Sequence, residues 1–482
     1  MDIYESFLRL AAFSDEDIAR QLPMWKKACI RLGLSERDVK YAVEEWIPEY
    51  WDLSLLGIRK CIGAYIHELI ELCRFADYKA RGDKIIYCNM PSHPACAYAN
   101  KISGGDRMHV STPDFVIASV LNAFFHKSTI LNHGDIPCMN PMCNHCGMNR
   151  LHADAHYKQT VITPTVMWNW GLCCNEGPKT EELIQCMGED EWHYVFSHLP
   201  HDALLGVNEA SDDSRVTYLA KQLEYSQKQI TEFTGIAVTE EQISEALDAY
   251  LYYVDKLEQL CDLVTYSDPQ PITSNELTLF GAVTHSAFET GFKYVDDAID
   301  TMLEEVKARV AEGRGVLPKD SPKLACHFTP YCVPWVNKAF IDNRVNLTIN
   351  TLYAPASYLK KYHDKTDIYR TIAQQWLCNP SAVNMMDEVE IVTSMLSKMP
   401  LDGVLYGFFE FDRWIGGIQK TMIKIVEERT GIPHYYLEGD FWNDDKYSLE
   451  DRISRIQSIA YKVRLNHMVT GWKYAKNQDT EG

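Results

Sequence analysis

From residue 321 to 482 the chain alternates strand-like and helix-like patterns, and few architectures accept that order. LACHFTP, VNLTINTLY, GVLYGFF and HYYLEGD are short apolar runs with strand composition. Between them lie amphipathic stretches such as AVNMMDEVEIVTSMLSKM and GGIQKTMIKIVEERTG. Strands separated by helices of this length pair in parallel through crossovers, so the pattern predicts a doubly wound α/β domain. Ligands of such sheets sit beyond the carboxyl ends of the strands. The segment Glu410 to Gly417, which follows GVLYGFF, is therefore a candidate site loop.

The rest of the chain divides by pattern. Residues 1–83 read as a helical N-terminal extension, in which Pro48 is expected to interrupt the first long helix. Residues 84–210 open with a strand, KIIYC, and mix strands, helices and cysteine-rich loops into a first α/β domain. Residues 211–320 are a helical segment. One helix there runs from Asp212 to Thr234 and stops at Gly235. A second starts at Thr239, with Gln242 completing a capping box. A third runs from near Phe288 to Glu312 and ends at Gly313-Arg-Gly315. Residues 321–482 form the C-terminal α/β domain. The expected fold is thus two truncated Rossmann-like sheets joined by helices, and no internal repeat stands out.

Five of fifteen cysteines fall between Cys138 and Cys174. They form two groups, Cys138, Cys143 and Cys146, then Cys173 and Cys174. Thiolates this close can converge on a soft metal centre. Cys143-x-x-Cys146 with Cys173-Cys174 is also a four-thiolate set of the kind zinc takes, and buried free thiols are a third reading. The N-terminus lacks a signal-peptide pattern, so a cytoplasmic location with reduced thiols is expected. Cys29, Cys61, Cys73, Cys88, Cys96, Cys186, Cys261 and Cys378 lie in regular patterns and are expected in the core. His152 and His156, spaced i, i+4, share a helix face and are expected in surface or capping roles rather than as metal ligands. Trp168 and Trp170 suit a pocket wall or the core, as do Trp335 and Trp414. A net charge of −20 argues against nonspecific nucleic-acid binding. No apolar run approaches a bilayer span.

Several of these segments resemble, in order, the family of 2-hydroxyacyl-CoA dehydratase and ATP-dependent benzoyl-CoA reductase subunits. MHVSTPDFVIASVLNAFF is similar to an early family segment, and CGMNR to the setting of its first cluster cysteine. TPTVMWNWGLCCNEGPKTEEL resembles the second cysteine segment. HFTPYCVPWVNKAF with VNLTINTLYAP, and LDGVLYGFFEFDRW through HYYLEGDFWN, resemble the later ones. The likeness spans Lys84 to Val463. It implies a [4Fe–4S] cluster held by Cys146 and Cys173, with Cys143 and Cys174 as further donors. It also implies a homologous second subunit, an ATP-hydrolysing iron–sulfur activator that delivers single electrons, and an acyl-CoA substrate. The chain has no P-loop pattern, so ATP belongs to the partner.

One departure stands out. Phe411 occupies the position of the family's third cysteine, and a phenyl ring cannot ligate iron. Substitute donors are Glu410, Asp412, Cys138, Cys143 and Cys174. Three functions follow from the resemblance: a cluster-bearing dehydratase subunit, a benzoyl-CoA reductase-like subunit, or a structural subunit that has lost its cluster and pairs with a cluster-bearing homologue. Zinc, or no metal, is the alternative to the cluster.

Overall fold

The computed structural model describes residues 2–127, 146–170, 176–187, 192–197, 211–327, 333–351, 361–379, 384–408, 415–438 and 448–478. Among these residues are two four-stranded sheets. The first holds β1 (Lys84–Cys88), β2 (Met108–Ser111), β3 (Val166–Trp170) and β4 (His193–Ser197). The second holds β5 (Lys323–His327), β6 (Asn346–Asn350), β7 (Gly403–Phe408) and β8 (His434–Glu438). Every pairing is parallel. The orders are β2-β1-β3-β4 and β6-β5-β7-β8, the same topology twice. This is the expected pair of doubly wound domains. In each, the chain leaves the first strand to one side and returns past it to the other. That makes the carboxyl ends of β1 and β3, and of β5 and β7, the switch points where such folds bind ligands.

The inner strands are covered on both faces. Ile85, Ile86, Tyr87 and Cys88 are all buried, as are Leu324, Ala325 and Cys326. The helical segment matches its sequence signals closely. The helix Asp213–Thr234 is capped by Asp212 and ends at Gly235, whose φ of 74° is the left-handed conformation that glycine adopts without a Cβ clash. The helix Glu240–Tyr266 starts on the Thr239–Gln242 capping box.

The N-terminal extension packs on this segment. Its longest helix, Leu56–Ala80, lies against the helix Lys293–Ala311. No side chain caps the first from its own N-cap residue, Leu55. Glu305 does so instead: Oε1 accepts from the Leu56 N–H and Oε2 from the Gly57 N–H, both at 2.8 Å. Pro48 does not break its helix as expected. The preceding turn widens to a π-helix over Ala42–Trp46, and Pro48 sits at the start of the short helix Ile47–Tyr50, where its missing N–H costs no bond. Among the described residues no helix is long and apolar enough to cross a membrane.

Candidate functional site

Cys146 is the N-cap residue of the helix Gly147–Tyr157 and is half-buried. It stands just ahead of the first turn, at the positive end of the helix dipole. The other predicted metal donors, Cys143, Cys173 and Cys174, lie outside the described residues, as do Cys138, Cys332, Glu410, Phe411, Asp412 and Trp414. Among the described residues no group of three or more His, Cys, Asp or Glu side chains could hold a metal. Cys29, Cys61, Cys73, Cys88, Cys96, Cys261 and Cys378 are buried core thiols, as expected. Burial pushes the Cys88 and Cys378 thiols up to about 12, which keeps them protonated and poor as ligands. Cys186, expected in the core, is exposed on the helix Glu176–Met187.

His152 and His156 are not at the surface; each is at least 95% buried, His152 at 3% and His156 at 5% exposure. The i, i+4 spacing correctly put them on one helix face, and that face turns inward. Nε2 of His152 lies 2.5 Å from Oε1 of Glu181 on the helix Glu176–Met187. The contact is a buried ion pair. Burial alone would lower the His152 pKa, but Glu181 and then Asp114 outweigh it and raise it to about 9. His156, buried beside that cation, is held well below the usual range. Asp114, on the helix Pro113–Ser119, is raised to about 6 by burial, with the nearby His152 opposing.

A second buried polar cluster gathers at the carboxyl ends of β1 and β3, where the first sheet meets the second half of the chain. The backbone N–H of Ser92 donates to the carbonyl of His285 at 3.0 Å. The Trp170 N–H donates to Asn89 Oδ1 at 3.2 Å, and the Trp170 ring meets Trp376 edge-on at 5.1 Å.

Partner chemistry fixes both histidine tautomers here. A carbonyl can only accept, so the contact of Gln375 Nε2 with the Tyr362 carbonyl at 2.6 Å orients the amide. Gln375 Oε1 therefore accepts from Nε2–H of His93 at 3.0 Å. Nδ1 of His93 is left as a bare lone pair without a hydrogen-bond partner among the described residues. His285 has the opposite tautomer. The Asn379 amide donates to its Nε2, so Nδ1 carries the proton and gives it to Thr284 Oγ1 at 2.8 Å. Burial lowers the two pKa values to about 4 for His93 and about 3 for His285, so both rings are neutral at pH 7. Asn169 and Trp170, adjacent on β3, add buried side-chain polar atoms with no hydrogen-bond partner among the described residues.

The second sheet has a counterpart at its own switch point. His327, the last residue of β5, places Nδ1 2.5 Å from Thr351 Oγ1 and Nε2 3.3 Å from Glu388 Oε1. Its ring lies 5.0 Å from that of Tyr406 on β7. Trp335 and Trp168 are both buried.

A family model described as 2-hydroxyglutaryl-CoA dehydratase, D-component, matches residues 159–456, more than half of the chain. The chain belongs to that family. As a D-component family member it is a subunit of dehydratase type, acting on acyl-CoA. The match is narrower than the resemblance that reached back to Lys84. It takes in β3, β4 and the whole second sheet, with Cys173, Cys174 and Phe411, and it begins after Cys146. No curated protein matches the chain.

Sequence reasoning missed Ser92, His93, His285, Gln375 and Asn379. The available signal was the polar turn Asn89-Met-Pro-Ser-His directly after the predicted strand KIIYC. Its partners come from far along the chain and left no local trace.

Proposed function

We propose that this protein is the cluster-bearing subunit of a two-subunit 2-hydroxyacyl-CoA dehydratase, working in the cytoplasm with a homologous second subunit and an ATP-hydrolysing activator. The family match across β3 to β8 carries this reading. The donor chemistry suits it: Cys143, Cys146, Cys173 and Cys174 are soft ligands on either side of β3 in the sequence, and Cys146 is the N-cap residue of a helix. When bound there, an iron–sulfur cluster supplies single electrons at low potential to the thioester.

The chain's own residues contribute a dry, uncharged surrounding at the carboxyl ends of the first sheet. Trp170, Trp376 and Tyr250 fill the space around His93 and keep water out. His93 and His285 are neutral, so neither offers an acidic proton to a substrate anion. The lone pair on His93 Nδ1 can accept a hydrogen bond from a substrate hydroxyl without becoming protonated.

Anaerobic purification followed by iron and sulfide analysis and an optical spectrum tests the reading. Iron and sulfide in near-equal amounts with broad charge-transfer absorption, lost in Cys146→Ser and Cys173→Ser, support it. A colourless, zinc-loaded or metal-free protein overturns it.

Phe411 favours one second reading, a structural subunit that has lost its cluster. Phe411→Cys separates the two: added iron or a changed spectrum means the position still belongs to a metal site. Unchanged iron in a folded variant favours the structural subunit. Formation of a reduced ring instead of an enoyl product from a CoA thioester would move the assignment to the reductase branch.

A further inference from the structure

A cavity of about 550 Å³ opens at the surface beside the helix Ile368–Trp376. Among the described residues its wall is Lys361, Tyr362, His363, Asp364, Lys365 and Gln374. Two lysines and a histidine face one carboxylate there, in a chain whose net charge is −20.

That carboxylate is already engaged. Asp364 Oδ1 accepts from the Thr366 N–H at 2.9 Å and from the Thr366 hydroxyl at 2.8 Å. The Asp364 carbonyl accepts from the Thr371 hydroxyl, which ties the segment to the helix. Lys365 is paired with Asp248, and both side chains stay exposed, so a ligand anion can share or displace that pair at little cost. Lys361 makes no ion pair among the described residues. Its ammonium lies 5.3 Å from the centre of the Tyr362 ring, a contact that leaves it available to an anion.

The cavity backs onto the buried cluster around His93. Gln374 lines the cavity, and its neighbour Gln375 is fully buried. Nε2 of Gln375 donates to the Tyr362 carbonyl at 2.6 Å, and Oε1 accepts from His93 at 3.0 Å. One glutamine amide thus separates a cationic surface cavity from a neutral, dry interior. The Lys361 charge reaches inward too, since it opposes the burial that raises the Cys378 thiol, next to Asn379.

An acyl-CoA has the same order along its length. A neutral acyl thioester and pantetheine arm come first, and the nucleotide end carries all the phosphate. The neutral part loses little on entering a dry site, whereas phosphate must stay solvated or meet cations. We propose that this cavity anchors the phosphate groups of a nucleotide ligand, the nucleotide end of the acyl-CoA, through Lys361 and Lys365, with the pantetheine arm directed past Gln375 toward His93. The choice of CoA rests on the dehydratase reading; the anion site itself does not.

The test is calorimetric titration of full-length, reduced protein with CoA, adenosine 3′,5′-bisphosphate, AMP and pantetheine. Wild type is expected to bind CoA most tightly, then the bisphosphate, with AMP and pantetheine weaker. Affinity for CoA should fall as salt rises. K361A/K365A is expected to weaken CoA binding about tenfold or more and to flatten its salt dependence, with circular dichroism unchanged. The control K307A/K319A removes the same charge from exposed positions elsewhere and should bind CoA as wild type does. If the alanine variant does not fold, K361Q/K365Q is scored by the same criteria.

Unchanged CoA affinity in folded K361A/K365A overturns the proposal. So does a wild type that binds none of the phosphate-bearing probes. Equal affinity for AMP and CoA, both lost in the variant, would make the cavity a site for a free nucleotide and overturn the CoA assignment. Iron content keeps the two ideas apart: a wild type that binds CoA through these lysines yet holds no iron supports the anchor and refutes the cluster.

Discussion

Nε2 of His93 lies 3.0 Å from Oε1 of Gln375, and 282 positions of chain separate the two residues. This contact ties the turn after β1 to a helix of the second half of the molecule, Ile368–Trp376. Gln375→Leu removes the acceptor and leaves a buried N–H unpaired, which costs about 1–3 kcal/mol. A fall of that size in urea-unfolding free energy, larger than the fall for an exposed control such as Gln457→Leu, is the expected result.

The neutral histidines set the acid limit of stability. Both folded pKa values lie below the unfolded value near 6.5, at about 4 for His93 and about 3 for His285. A depressed pKa contributes stability that is complete above 6.5 and is lost as pH falls through the folded values. Each unit is worth about 1.4 kcal/mol, so His93 accounts for roughly 3 kcal/mol between pH 6.5 and 4. Unfolding titrations should show this acid loss, and His93→Gln should flatten it.

His152 acts at the other end. Its folded pKa is raised to about 9, the Glu181 and Asp114 carboxylates outweighing the burial that opposes them. Its stabilising effect is complete below about 6.5 and disappears as pH rises through 9. Melting temperature should therefore decline from pH 7 to pH 9.5, and His152→Gln should be less stable at pH 7 with a weaker decline. An unchanged pH slope in that variant would contradict the assignment.

Two glycines should respond oppositely to alanine. A Cβ at Gly57 would come 2.6 Å from the Met302 Cα and 2.7 Å from its nitrogen, with backbone on both sides of the clash. Gly57→Ala should cost about 1–3 kcal/mol, the usual penalty of overpacking. At Gly177, also helical, the nearest atom among the described residues is Asn89 Nδ2 at 3.7 Å. Gly177→Ala should stabilise by about 0.5–1 kcal/mol through helix propensity. Chemical denaturation of the two single variants checks both signs.

What the sequence revealed was local or periodic. The strands at KIIYC, LACH and GVLYGF, the stop at Gly235 and the capping box at Thr239 each rest on neighbouring residues, and each is present. What stayed hidden depended on distant partners. His93 needs Gln375, and His285 needs Asn379, 94 positions later. The i, i+4 rule placed His152 and His156 on one face but could not say that Glu181 waited opposite. The repeated strand order of the two sheets is a repeat of topology, which parallel packing permits without repeated sequence. At Pro48 the rule that proline ends a helix gave way to a π-turn that absorbed it.

Glu305 caps a helix whose first residue precedes it by 249 positions. A ribosome adding about 5–20 residues per second needs roughly 12–50 s to cover that distance. Through that interval the helix Leu56–Ala80 has emerged without its cap, and Gly57 still lacks the Met302 backbone it will pack against. The N-terminal extension is thus made first and completed late, and its exposed apolar face is a surface that chaperones have time to occupy during synthesis.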